Sequence, residues 1–175
     1  MENNVLILNP VYYGIISKHL ITNKSEGLEL IKYISLLVFQ SIGYYYIHFA
    51  MHNIRLLRKI HKFHHRFTDV LIPSIGISVT ISEYSLAYAF PFLVGSWIIN
   101  TNMTTLSWAV CTVSLLNIMI HCKELTHLKY YKCFVSPADH FIHHRNIPNR
   151  NTYAAPFINI DNLIDHLDNE TVSIE

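Results

Sequence analysis

Nine of the chain's twelve histidines fall into a narrow grammar. His48 and His52 frame HFAMH. His61, His64 and His65 make HKFHH, His121 stands alone, and His140, His143 and His144 make HFIHH. Neutral imidazole is the commonest metal ligand among side chains. Residues three and four apart share a helix face, so each H-x-x-H-H is expected to present three imidazoles to one side, and His48/His52 two more. Nine imidazoles exceed the four ligands of one tetrahedral zinc and suit two ions sharing a site. The donors are all nitrogen, with no carboxylate pair and no C-x-x-C motif among them. Such a set suits redox-active iron with positions left open for dioxygen. Glu83, Asp69, Asp139 and Asp161 are the carboxylates that could fix imidazole tautomers from behind. His127 is expected at the surface, and His19 and His166 receive no role.

The elements that must carry these groups are apolar. Hydrophobic residues make up 51% of the 175-residue chain and charged residues only 14%, against about 25% charged in soluble domains. From Tyr84 to Ile120 there is no Asp, Glu, Lys, Arg or His. A membrane hairpin needs such a stretch, since one crossing takes about 20 mostly apolar residues. The expected fold is all-α: integral membrane helices with a cytosolic cap of histidine-bearing helices around a dinuclear metal site. The first membrane helix is expected over Leu28–Met51, with Tyr44, Tyr45 and Tyr46 as interfacial rings. Residues 55–66 read as one helical stretch with five cations and three histidines. The hairpin runs to Ile99, turns at Asn100-Thr101-Asn102 and returns over Thr104–Ile120. That arm is about 26 Å long at 1.5 Å per residue, so both full crossing and a partial dip stay open.

Residues 1–27 form an N-terminal segment broken by Pro10 and Gly14, expected to be interfacial. Residues 28–165 form the membrane domain, and 166–175 an acidic tail. Met1–Asn9 lacks the features of a signal peptide. Cys111, Cys122 and Cys133 build no disulfide framework, and Cys111 is expected to be a small buried hydrophobe. Neither the net charge of +1 nor any basic tail points to nucleic acid. Ten of the thirteen Lys and Arg lie in 55–66 and 123–150, and none lies at the hairpin turn. Cations at membrane-helix ends favour the cytoplasmic side, so both histidine stretches are expected to face the cytosol.

HFAMH, HKFHH, the lone His121 and HFIHH together resemble the fatty acid hydroxylase/sterol desaturase superfamily of membrane di-iron enzymes. HHRNIPNRNTYAAPFINIDNL resembles that family's ending. HKFHHRF, followed by Pro73 and Glu83-Tyr84, resembles the sterol 4-methyl oxidase branch most. The likeness spans roughly residues 30–165. It implies hydroxylation or desaturation of a sterol or fatty acyl lipid at two iron ions with dioxygen. It also implies electrons from NAD(P)H through a cytochrome b-type haem partner, and residence in the endoplasmic reticulum. Thr80-Ile81-Ser82-Glu83 stands where the family often has His-Pro-x-Glu, and Cys122-Lys123 replaces a Ser-Gly. The alternative reading is a non-redox metal protein, or a catalytically inactive membrane protein, of the same fold.

Overall fold

A computed structural model describes Tyr12, Gly14 and residues 27–68, 72–145 and 152–172, with side chains in the last stretch followed to His166. The regular elements among the described residues are all helices, apart from one isolated bridge between Phe134 and Ile158. Most of the 1–27 segment, and Asp69 with it among the candidate carboxylates, lie outside the described residues.

Three rods lie side by side. The first is α1, Glu29–Asn53. The second starts as α3, Ile81–Glu83, passes through a π-helical stretch, Tyr84–Ala89, and continues as α4, Phe90–Ile99. The third is α5, Met103–Ile120. The turn between the last two follows from Asn-Thr-Asn. Asn100 adopts the left-handed conformation that Asn tolerates better than most residues, and Thr101 N–H donates back to Ser96 O at 3.2 Å. Asn102 then caps α5, its side chain accepting from Thr105 N–H at 2.8 Å. The expected hairpin therefore stands, with its turn where the sequence placed it. α5 has 18 residues, about 27 Å at 1.5 Å per residue.

The start of α1 sits beside that turn. Glu29 hydrogen-bonds Thr105, and Lys32 Nζ donates to Asn100 O at 3.0 Å. The end of α1, the start of α3 and the end of α5 therefore share the opposite end of the bundle. Between the ends, Leu36, Leu37, Phe92, Leu106, Ala109 and Val113 form one buried cluster. Close approach depends on glycine: a Cβ at Gly95 would lie 2.9 Å from both Leu36 and Phe39.

The outward faces are apolar too. Ile31, Ile34, Ile42, Phe90, Trp97, Trp108 and Leu115 are all exposed. A helix that is hydrophobic all round is a membrane span or a core element, and an apolar exterior this extensive calls for a non-aqueous surrounding. Glu29–Asn53 and Met103–Ile120 are long and apolar enough to cross a membrane.

Several expectations change. Tyr44 and Tyr45 are buried and only Tyr46 is exposed. Tyr44 packs against His48 and Tyr88, with centroids 5.1 and 5.2 Å away, so the triplet is mainly core rather than an interfacial belt. Cys111 is exposed on α5 rather than buried, because the apolar run there faces outward as well as inward. Residues 55–66 are not one helix: α2, Arg55–His61, stops and a 3-10 turn, His64–Arg66, follows. α6, Pro137–His144, and α7, Ile160–Val172, complete the α-helices among the described residues, beside short 3-10 turns at Pro73–Ile77 and Lys123–Leu125.

Candidate metal centre

The histidine grammar closes in space. His48, His52, His61, His65 and His143 form one group, and His64, His121, His140 and His144 a second. Within each group the ligand-capable nitrogens all lie within 4.8 Å of one another. The groups touch: the rings of His65 and His144 stack at 4.8 Å, and those of His64 and His144 lie 4.7 Å apart. All nine residues expected as ligands are gathered here. His127 and His166 are exposed and outside both groups.

How the triplets contribute differs from the expectation of one shared face. In HKFHH, His61 and His65 enter the first group and His64 the second. In HFIHH, His140 and His144 enter the second group and His143 the first. The i,i+4 pair stays together, while the i+3 residue goes across. Four residues make slightly more than one helical turn and three slightly less, so i+3 and i+4 diverge by about 100° around the axis. The change from helix to 3-10 turn after His61 adds to that divergence.

Four of the rings are oriented from behind. His61 Nδ1 donates to Glu83 Oε1 at 2.7 Å, with both residues buried. His48 Nδ1 donates to Tyr153 O at 2.7 Å, His121 Nδ1 to Asn117 O at 2.6 Å, and His64 Nδ1 to Ser78 O at 3.4 Å. Each acceptor requires the proton on Nδ1, which leaves a lone pair on Nε2. Yet His48 Nε2 lies 2.9 Å from His61 Nε2, and His121 Nε2 lies 3.3 Å from His64 Nε2. Two lone pairs facing each other at that distance repel unless a cation sits between them.

The other Nε2–Nε2 separations run the same way. They are 2.8 Å for His65–His61, 3.1 Å for His143–His65, 2.9 Å for His140–His121, 3.1 Å for His144–His140, and 3.2 Å for both His52–His48 and His144–His121. With metal–nitrogen bonds of about 2.1 Å, ligand atoms at a right angle stand about 3.0 Å apart and at a tetrahedral angle about 3.4 Å. The donor set fits a metal ion in each group.

Burial keeps the imidazoles neutral. It lowers His64 to about 4, and lowers His65 and His121 to about 3, with the neighbouring histidines adding to the shift. His61, His140, His143 and His144 are lowered by burial and by their histidine neighbours as well. A neutral ring is the form that binds metal.

The candidate carboxylates sort into different jobs. Glu83 touches the site directly, through His61. Asp161 acts at one remove: its Oδ2 accepts from Tyr153 N–H and Ala154 N–H, both at 2.7 Å, and so holds the loop whose carbonyl meets His48. Asp139 is engaged in capping α6, its N–H donating to Ser136 Oγ at 3.1 Å and its Oδ2 accepting from Ser136 Oγ–H at 2.7 Å. Thr80, at the position where the resembled family often has a histidine, accepts from Glu83 N–H at 3.2 Å and donates to Ile60 O at 3.3 Å. It caps α3 and ties it to α2. The carbonyls of Tyr153, Asn117 and Ser78 were invisible to sequence reading, since every residue carries that group. Gly76 supports His121 in a similarly hidden way: a Cβ there would lie 2.9 Å from His121 Nδ1 and 2.9 Å from Asn117 O.

A cavity of about 600 Å³ opens onto the centre, lined by His52, His61 and His65 of the first group and His144 of the second. Tyr153, Arg58 and Lys62 stand in its wall.

Residues 33–166 match the model of the fatty acid hydroxylase family, and the chain belongs to that family. No curated protein and no solved structure matches it. Family membership makes this a lipid hydroxylase- or desaturase-type membrane enzyme, and the two histidine groups are consistent with the di-metal site typical of such proteins.

Proposed function

We propose that His48, His52, His61, His65 and His143 bind one iron ion and His64, His121, His140 and His144 a second. On this reading the protein uses dioxygen to hydroxylate or desaturate a lipid carbon close to its headgroup. Nine imidazoles, seven buried and two (His52 and His65) half-buried, converging in two touching groups carry the proposal. Bound there, paired iron would supply the oxidising power to cleave an unactivated C–H bond.

The chain's own residues do the positioning. Glu83, Tyr153 O, Asn117 O and Ser78 O hold four rings in the tautomer that aims Nε2 inward. Burial excludes water and protons from His64, His121 and His140, while the cavity beside His52 and His65 admits the substrate. The histidine end lies at the ends of the apolar rods, so a lipid can keep its chain among apolar surroundings while its head end reaches the metals.

Residues 28–165 act as the catalytic membrane domain, with 1–27 and 166–175 as appendages. The sterol 4-methyl oxidase branch is supported only by HKFHHRF, Pro73 and Glu83-Tyr84. The cations around the site favour a cytosolic orientation, and the resemblance to the family implies residence in the endoplasmic reticulum. Electrons are supplied from NAD(P)H by a cytochrome b-type haem protein. Thr80 in place of a histidine favours a second reading, a non-redox metal protein of this fold, because it lowers the donor count beside Glu83.

Lipidomics of a host expressing the chain, beside His143→Ala, separates the readings. New hydroxylated or desaturated lipids that vanish in the variant support the oxygenase. Lipids identical in both strains, with tightly held zinc in the purified protein, support the alternative.

A further inference from the structure

Resting on the oxygenase reading, the geometry points to a substrate whose head carries an oxyanion, a carboxylate or phosphate, which we infer is gripped by Arg58 and Lys62 at the mouth of the 600 Å³ cavity. Arg58 and Lys62 lie four residues apart, on one face of α2 and its C-terminal cap. Arg58 is held in place, its Nε donating to His52 O at 2.9 Å. That bond leaves the terminal amines of the guanidinium available. Among the described residues neither cation has an ion-pair partner, and no described carboxylate lines the cavity.

The charge of the centre argues the same way. Imidazole ligands are neutral, and Glu83 is the one carboxylate touching either histidine group among the described residues. Two divalent ions there would leave several positive charges uncompensated, and two more cations stand at the rim. An anion entering such a cavity meets a favourable field on every side. The volume lies within the range of small-molecule sites, about 300–1,000 Å³. It has room for a headgroup and its first carbons, which would place those carbons, rather than the chain end, beside His52, His61 and His65. Arg55 and Lys59 occupy the same helix but do not line the cavity. They distinguish specific recognition from general attraction to a negative surface.

The test measures binding to the full-length, metal-loaded protein in neutral phosphatidylcholine nanodiscs, without reductant. Hexadecanoate is compared with methyl hexadecanoate, and dioleoyl phosphatidate with dioleoylglycerol. The expected result is that the anion of at least one pair binds about tenfold more tightly than its uncharged counterpart, the scale of one charge-assisted hydrogen bond. Whichever pair shows the preference identifies a free acid or a phospholipid head as the source. Arg58→Gln with Lys62→Gln should abolish the preference, while Arg55→Gln with Lys59→Gln retains it. Arg58→Lys, which keeps the charge, should retain most of it. Equal binding of charged and uncharged lipids, or equal loss in both double variants, would overturn the inference. An anion preference with no oxidised product when reductant is added would sink the oxygenase reading alone. Oxidation of uncharged lipids without any preference would sink this inference alone.

Discussion

Among the described residues, Glu83 is the carboxylate that touches a histidine of the metal centre directly. Its Oε1 fixes His61, whose Nε2 lies 2.9 Å from His48 and 2.8 Å from His65. Replacing the carboxylate by an amide removes the negative charge behind the ring and lowers its basicity. Glu83→Gln is expected to weaken metal binding by about 10- to 100-fold, read by competition with a chelator, while helical content by circular dichroism stays unchanged. Binding unaltered by the substitution would mean that the carboxylate charge behind His61 has no bearing on the metal. The depressed histidines set a pH dependence for the chelator-stripped protein. In the unfolded chain these groups titrate near 6.5. In the folded chain His64 titrates near 4, and His65 and His121 near 3. Between those values the unfolded state binds more protons, so stability is flat above about 6.5 and falls as pH drops toward about 3. Denaturation in detergent across pH 8 to 4 checks the sign; stability constant or rising on acidification would contradict it. The histidines themselves were legible from spacing. Their division between two groups was not, because it depends on where α2 stops and on the 100° step between neighbouring helix positions.

At the scale of elements, caps and close contacts hold the rods in register. Asn102 caps α5, and Asn102→Ala is expected to cost about 1 kcal/mol, seen as a lower melting temperature with metal binding retained. Gly76→Ala should act differently. The added methyl must push on His121 Nδ1 and Asn117 O, each 2.9 Å from its position, so the second histidine group loosens more than the bundle does. Metal competition should reveal a defect larger than any shift in melting temperature; equal effects would count against the contact. The hairpin was readable because Asn-Thr-Asn interrupts an uncharged run. The π-helical stretch was not, since Tyr84–Ala89 carries the same apolar pattern as the α-helix around it. Nor could periodicity say that Tyr44 and Tyr45 face inward. Rods that are apolar all round leave no polar stripe to mark the outside, and the same ambiguity misplaced Cys111.

For the whole molecule, the distribution of charge and the position of the histidines describe one polarity. The histidine end bears Arg55, Arg58, Lys59, Lys62 and Arg66, and the turn end is held by Lys32 against Asn100 O. Cys133 is exposed at the histidine end, and Thr104 is exposed beside the turn. In a background lacking Cys111 and Cys122, a membrane-impermeant maleimide added from the cytosolic side should label Cys133 and fail to label Thr104→Cys. Labelling of both would mean that the rods are not embedded. The metal centre carries the proposed function. Anaerobic titration of the detergent-purified full chain with iron(II), followed by metal analysis, measures it directly. The expected result is two irons per chain, with His121→Ala losing one and keeping the other. One ion or none in the parent chain, or two ions undisturbed by His121→Ala, would contradict it.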